Sequence, residues 1–301
     1  MRIILTGGGG LLGTYIRDEL GSSAHSVEAW GRSPDSGQHP IPLHSVDLCD
    51  HSTVSERLTG FGPDVILHLA AISKPAQVLA DPATAWQVNV EGTRTLCDWC
   101  RESGCRLVFT STDMVFDGRH APYREDAQPS PSNEYGRTKA KGERLVQSVP
   151  TGLVARIPLL YGPMRCNRPS FYDHSLTALR SGKPQLFFED EFRTPLDLLT
   201  AARLLIGLSE IQAAGIVHLG GPERLSRLEL MSRVADVLGI ESRLLGGNRL
   251  ADHPGPEPRP ANTSMVSERI RSLVPHLQMP TVEQAVAKME FRTSMAGNPG
   301  V

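Results

Sequence analysis

The chain has 301 residues, 40 % of them apolar, and a formal charge of −2. That is long enough for one large domain plus a smaller one, and it gives no electrostatic reason to expect nucleic acid or an anionic membrane as a partner. No apolar run approaches the ~20 residues that a bilayer span needs.

Met1 to Leu5 run straight into a Gly-rich turn and leave no room for a signal peptide, which points to the cytoplasm. Arg2–Thr6 reads as a short apolar strand, Leu11–Leu20 as a helix and Ser26–Trp30 as a second strand. Asp64–Ala70 predicts a fully buried strand, and Ala83–Cys100 one long amphipathic helix. Arg106–Ser111 predicts another strand, Tyr135–Gln147 a helix and Gly152–Ile157 the strand that closes the series. Strand–helix alternation with near-continuous apolar strands implies an α/β fold, a doubly wound parallel sheet covered on both faces.

Beyond Tyr161 the rhythm loosens. Ile216–Leu219 reads as a late strand and Ser226–Leu238 as a helix with Ser226 as N-cap. Gly246–Ala261, full of Gly and Pro, predicts a loop, and Ser294–Val301 a disordered end. Residues 1–162 are therefore assigned to a Rossmann domain, with strands near Phe192–Leu198 and Ile216–Leu219 returning to its sheet or edge. Residues 163–191 and 221–301 are assigned to a small mixed lobe, with substrate between the two at the carboxyl ends of the strands.

Five cysteines fit a reducing compartment. Cys97, Cys100 and Cys105 have no matching Cys/His group at zinc-site spacing, and His174, His218 and His253 show no ligand spacing; no metal is expected.

Thr6-Gly7-Gly8-Gly9-Gly10-Leu11-Leu12-Gly13 lies where the first strand gives way to a helix. Glycines there let the backbone approach a pyrophosphate, whose charge is met by helix N-terminal N–H groups. The run fits two registers, one from Gly7 and one from Gly8, and spacing does not choose between them. Asp or Glu at the end of the second strand would accept from a ribose 2′-OH. Here that position is Gly31, followed by Arg32 and Ser33, while Glu28 lies three residues too early. A guanidinium in place of a carboxylate favours a 2′-phosphate, hence NADP(H) over NAD(H).

Tyr135 and Lys139 are four residues apart on a helix and share a face. A carbonyl reductase needs a proton donor for the oxygen, and a neighbouring ammonium lowers the proton affinity of a phenol.

Three segments together resemble the extended short-chain dehydrogenase/reductases: the Gly-rich turn, the Y-x-x-x-K pair and Ser111-Thr112-Asp113-Met114-Val115-Phe116-Asp117-Gly118. Within that superfamily the chain is most similar to the dTDP-4-dehydrorhamnose reductase branch. Further matching segments are Asp47-Leu48, His68-Leu69-Ala70-Ala71, Asn89-Val90-Glu91-Gly92-Thr93 and Arg156-Ile157-Pro158. The resemblance implies Thr112 as the hydroxyl that polarises the substrate carbonyl, Tyr135 as proton donor, and Lys139 as the ribose ligand that depresses the phenol. It implies Gly7, Gly10, Leu11, Leu12, Gly13, Arg32, Ser33, Asp47, Leu48, Ala70, Ala71 and Ile157 around the cofactor. On the substrate side it implies Asp113, Met114, Arg193 and Arg259.

Two departures bear on substrate. Arg156 to Gly162 lacks the tryptophan that the reductase branch often has there. Met114 stands where related dehydratases carry a Glu, and without that acid/base group dehydration is disfavoured. The leading expectation is an NADP(H)-dependent carbonyl reductase acting on a small molecule, a nucleotide-linked 4-keto sugar; a homodimer is an allowed assembly. The alternatives are an NAD-dependent sugar-nucleotide epimerase and a cofactor-binding regulatory subunit resembling the methionine adenosyltransferase β-subunit.

Overall fold

The computed structural model describes residues 1–32, 39–167 and 169–296, with side chains described as far as Glu290. Its first half alternates as expected: β1 (Arg2–Thr6), α1 (Leu11–Leu20), β2 (Ser26–Gly31), β3 (Leu43–Ser45), α2 (His51–Phe61) and β4 (Val65–His68). Then follow α3 (Pro75–Ala80), α4 (Pro82–Trp86), α5 (Gly92–Ser103), β5 (Arg106–Thr112), α6 (Glu134–Gln147) and β6 (Gly152–Ile157). The single long helix predicted over Ala83–Cys100 is instead α4 and α5 joined through a π-turn at Gln87–Glu91. Apolar periodicity cannot show the one extra residue that such a turn inserts.

The later elements are β7 (Leu160–Tyr161), α7 (Phe171–Arg180), β8 (Gln185–Phe188), β9 (Phe192–Arg193), β10 (Leu196–Asp197) and α8 (Leu198–Glu210). They are followed by β11 (Gly215–His218), β12 (Leu225–Ser226), α9 (Arg227–Val237), β13 (Leu245–Asn248), α10 (Glu268–Leu273) and α11 (Val282–Ala296).

Seven strands form one sheet in the order β11-β6-β5-β4-β1-β2-β3, with every neighbouring pair parallel. Strand side chains alternate between two covered faces. Ile3, Leu5, Val65 and Leu67 pack with Tyr15, Leu204 and Leu205 on one side. Ile4, Ile66, Leu107 and Phe109 pack with Val54, Leu58 and Leu96 on the other. Cys97, Cys100 and Cys105 belong to this second core, as small apolar side chains. A separate apolar cluster joins α7, α9 and α11 through Tyr172, Leu176, Leu230, Val234 and Val286. No helix of the described residues is long and apolar enough to cross a membrane.

Three expectations about the second half are corrected. Phe192–Leu198 does not rejoin the main sheet: β9 pairs with β12 and β10 with β7, with Pro195 interrupting any longer ladder. Gly246–Ala261 is not all loop, because β13 pairs in parallel with β8. Ser294–Val301 is not wholly irregular, since α11 runs to Ala296; residues 297–301 lie outside the described residues.

Candidate active site

The order of the sheet reverses between β1 and β4, so the crevice of an open α/β sheet opens at their carboxyl ends. Gly7 occupies it with φ +72°, and a Cβ there would lie 2.7 Å from the Ala70 nitrogen. Gly10 N–H donates to the Gly7 carbonyl at 2.9 Å, and a Cβ on Gly13 would collide with that same carbonyl oxygen. The register that the turn uses is therefore Gly7-x-x-Gly10-x-x-Gly13. Leu12 is buried and Leu11 half-buried at the start of α1.

Arg32 is exposed just past the Gly31 tip of β2, and Ser33 lies outside the described residues. Glu28 is engaged elsewhere: Trp30 Nε1 and Arg57 Nη1 both donate to its Oε1, at 2.9 and 3.0 Å. Asp47 is exposed and accepts from the Cys49 N–H, while Leu48 is buried against Gly92. Ala70 and Ala71 follow β4, and Ile157 is the register partner of Thr112 at the end of β6.

Tyr135 and Lys139 lie in α6, whose N-cap Asn133 accepts from the Gly136 N–H at 2.8 Å. Gly136 was not singled out in the sequence, yet a side chain there would strike the Met114 carbonyl. This close approach sets Tyr135 against the end of β5, with its phenol near enough to the Thr112 hydroxyl to be influenced by it. Met114 packs in the same small cluster as Tyr135, Val78 and Ala85.

Burial pushes the Tyr135 phenol above its ordinary range, Asp113 pushes it further, and the Thr112 hydroxyl opposes them. In this structure desolvation and the Asp113 carboxylate are the larger influences on the phenol. Lys139 itself, 2 % exposed with Nζ 4.0 Å from the Phe109 ring centroid, is pushed down to about 7 by burial, against the pull of Glu143. A phenol that keeps its proton at neutral pH suits donation to an oxygen gaining negative charge.

A buried hydrogen-bond chain joins the Gly-rich turn to α6. Ala70 N–H donates to Thr6 Oγ1 (3.1 Å), which is 2.7 Å from His68 Nδ1. His68 Nε2 lies 2.9 Å from Thr93 Oγ1, which donates to the Asn89 carbonyl at 2.8 Å. Thr93 thereby takes its second bond as an acceptor, so His68 carries its proton on Nε2 and accepts at Nδ1. From the π-turn, the Asn89 amide brackets Ile72, accepting from its N–H and donating to its carbonyl, and also donates to Thr138 Oγ1. The family resemblance marked the segments that carry His68 and Asn89, and the bonds that join them are visible only in the fold.

His68 is held down to about 3 by burial and by Lys139, and His218 to about 3 by burial and by Arg156. In the unfolded chain each takes up a proton below about 6.5, whereas in the folded protein each stays neutral to about 3. Their contribution is intact at pH 7 and is lost as pH falls through that window, costing about 2 kcal/mol per histidine by pH 5. Denaturant titrations at pH 7 and pH 5 check this, and equal stabilities would refute it.

The substrate-side expectations divide. Asp113 is 4 % exposed; it accepts from Thr112 Oγ1 (3.2 Å) and Thr263 Oγ1 (2.5 Å), with Arg193 Nε at 3.2 Å. Burial raises its carboxyl, and Arg193 opposes this. Arg193 is turned inward, giving its remaining bonds to Glu191 and to the Phe192 and Pro260 carbonyls. That corrects the picture of Arg193 as a guanidinium presented to substrate. Arg259 has a half-exposed side chain and shares Glu191 with it. Among the described residues no group of His, Cys, Asp and Glu could hold a metal ion.

A family model described as RmlD substrate binding domain matches residues 1–293. The chain is 30 % identical to methionine adenosyltransferase 2 subunit beta of Xenopus laevis over 280 residues, covering 90 % of this chain and 82 % of the relative. It is 27 % identical to the probable low-salt glycan biosynthesis reductase Agl14 of Haloferax volcanii over 294 residues, covering 96 % of this chain and 97 % of the relative. In fold it matches dTDP-4-dehydrorhamnose reductase from Bacillus anthracis, solved in complex with NADP. The TM-score is 0.85 at 22 % identity, over 97 % of this chain and 99 % of that one.

Proposed function

The chain belongs to the RmlD substrate binding domain family, and from that premise we propose that it is an NADP(H)-dependent reductase of a carbonyl on a nucleotide-linked 4-keto sugar. The observation that carries this reading is a protonated, buried Tyr135 beside Thr112 at the carboxyl ends of the parallel strands, with Lys139 one helical turn behind.

The turn at Gly7, Gly10 and Gly13 suits a dinucleotide, because its glycines let the backbone close on itself and on Ala70 at the N-terminus of α1, where a pyrophosphate can meet free N–H groups. A nicotinamide cofactor, when bound, supplies the hydride. This chain's residues do the rest: Thr112 orients the carbonyl oxygen, Tyr135 Oη gives it a proton, and Lys139 holds the ribose. Arg32, with no carboxylate at Gly31 and Glu28 already engaged, supports a 2′-phosphate and hence NADP(H).

Calorimetric titration with NADPH and NADH, followed by absorbance assays on a panel of nucleotide-linked 4-keto sugars, tests the reading. Arg32→Ala should weaken NADPH by about tenfold or more, the value of one charge-assisted bond, and leave NADH nearly unchanged. Equal loss of both defeats the 2′-phosphate assignment.

The subunit named in the 30 % relatives favours a second reading, a cofactor-binding regulatory subunit. Selective NADPH binding without turnover of any panel member, together with co-purification of a larger synthetase subunit, would replace the reductase reading with it.

A further inference from the structure

Glu191 stands outside the catalytic pair, is 1 % exposed, and is gripped by three guanidinium groups. Arg193 Nη2 lies 3.1 Å and Arg259 Nε 2.7 Å from its Oε1, and Arg227 Nε 2.7 Å from its Oε2. Burial pushes the Glu191 carboxyl up, but the three cations outweigh it and bring it down to about 2, so the charge persists. Arg227 opens α9 and Arg259 lies in the segment after β13, so two of the three cations come from the C-terminal part of the chain.

The third cation faces the other way. Arg193 Nε is 3.2 Å from Asp113 Oδ2, and Asp113 Oδ1 accepts from the Thr112 hydroxyl beside Tyr135. Thr263, fully buried, holds Asp113 from the same side as Arg193. A line of contacts therefore runs from Arg227 and the half-exposed Arg259 inward through Glu191, Arg193, Asp113 and Thr112 to Tyr135.

We propose that Glu191 is a positioning residue of this site: it fixes Arg193 on Asp113, thereby sets the Thr112 hydroxyl beside Tyr135, and makes the charges of the C-terminal lobe part of the active-site geometry. The inference deepens the reductase reading and rests on it for the purpose of the site, while its test needs no substrate. The charged groups in play are Asp113 from the turn after β5 and Lys139 on α6 around Tyr135. Behind Asp113 stand Arg193 and Glu191, and behind Glu191 stand Arg227 and Arg259.

Placing 3,5-difluorotyrosine at position 135 of the full chain lets its phenol be titrated by fluorine NMR. Glu191→Gln keeps size and an acceptor but removes the charge that balances three guanidinium groups. It should lower the phenol midpoint by about one pH unit. Arg259→Gln, at a half-exposed side chain, removes a cation and should move the midpoint the opposite way. Glu191→Asp should return it toward the parent value.

Midpoints that stay put, or move in the same direction in both variants, overturn the proposal; so does a loss of thermal stability unaccompanied by any midpoint change. Should Glu191→Gln fail to fold, the sign of the Arg259→Gln shift decides. Opposite shifts in a protein that reduces no keto sugar would sustain the positioning role and sink the reductase reading alone.

Discussion

Tyr135→Phe is expected to cut reductase turnover by about 10²–10⁴-fold, the range for losing a positioned general acid, while cofactor affinity changes by less than about twofold. The substitution removes one oxygen from a ring whose packing against Val78 and Ala85 stays, so the fold has little reason to respond. Thr112 would still orient the carbonyl, but no group beside it would hold a transferable proton. Single-turnover kinetics with saturating NADPH separate this from a binding defect. Turnover within about threefold of the parent would mean that the proton comes from elsewhere. Loss of NADPH binding in parallel would mean that the phenol serves the cofactor instead.

The largest stability effect is expected at Arg156. Its guanidinium makes a bidentate pair with Glu143, at 2.9 and 2.8 Å, with both side chains fully buried. Glu143 also accepts from Ser111 Oγ at 2.5 Å, and Arg156 stands 3.2 Å from His218 Nε2 and over the Phe116 ring. Arg156→Met leaves the Glu143 charge buried without its partner, which costs about 3–5 kcal/mol in such pairs. The double variant Glu143→Met with Arg156→Met, having no stranded charge, should recover most of that loss. Urea unfolding of the parent, the single and the double variant decides the matter. A single variant within about 1 kcal/mol of the parent would show that water or a rearranged neighbour compensates. Because Glu143 lies one turn beyond Lys139 on α6 and Ser111 precedes Thr112, the same pair locks α6 to β5 and β6.

Much of the site was legible because its chemistry is local. The strand–turn–helix around Thr6–Gly13, the four-residue spacing of Tyr135 and Lys139, and the Thr112-Asp113 segment each sit within a few residues of chain, where period and turn chemistry are direct readouts. The same locality explains the failures. A π-turn at Gln87–Glu91 adds one residue to a helical pattern whose apolar spacing still looks regular, and β13 hides in a Gly-rich stretch because a two-stranded ladder of four register pairs is set by its partner more than by β-propensity.

By itself, then, the sequence determined the parallel sheet, the Gly-rich turn between β1 and α1 and the shared helical face of Tyr135 and Lys139, all of which depend on neighbours along the chain. Only the tertiary structure decided the register of the glycines, since Gly7 is singled out by its contact with Ala70, 63 residues away. It likewise decided that Tyr135 is raised rather than lowered, since burial and Asp113 act through space. The fate of Arg193 belongs there too: a guanidinium goes to whichever carboxylate the fold buries beside it, and Asp113 and Glu191 reach it from distant and adjacent chain positions alike.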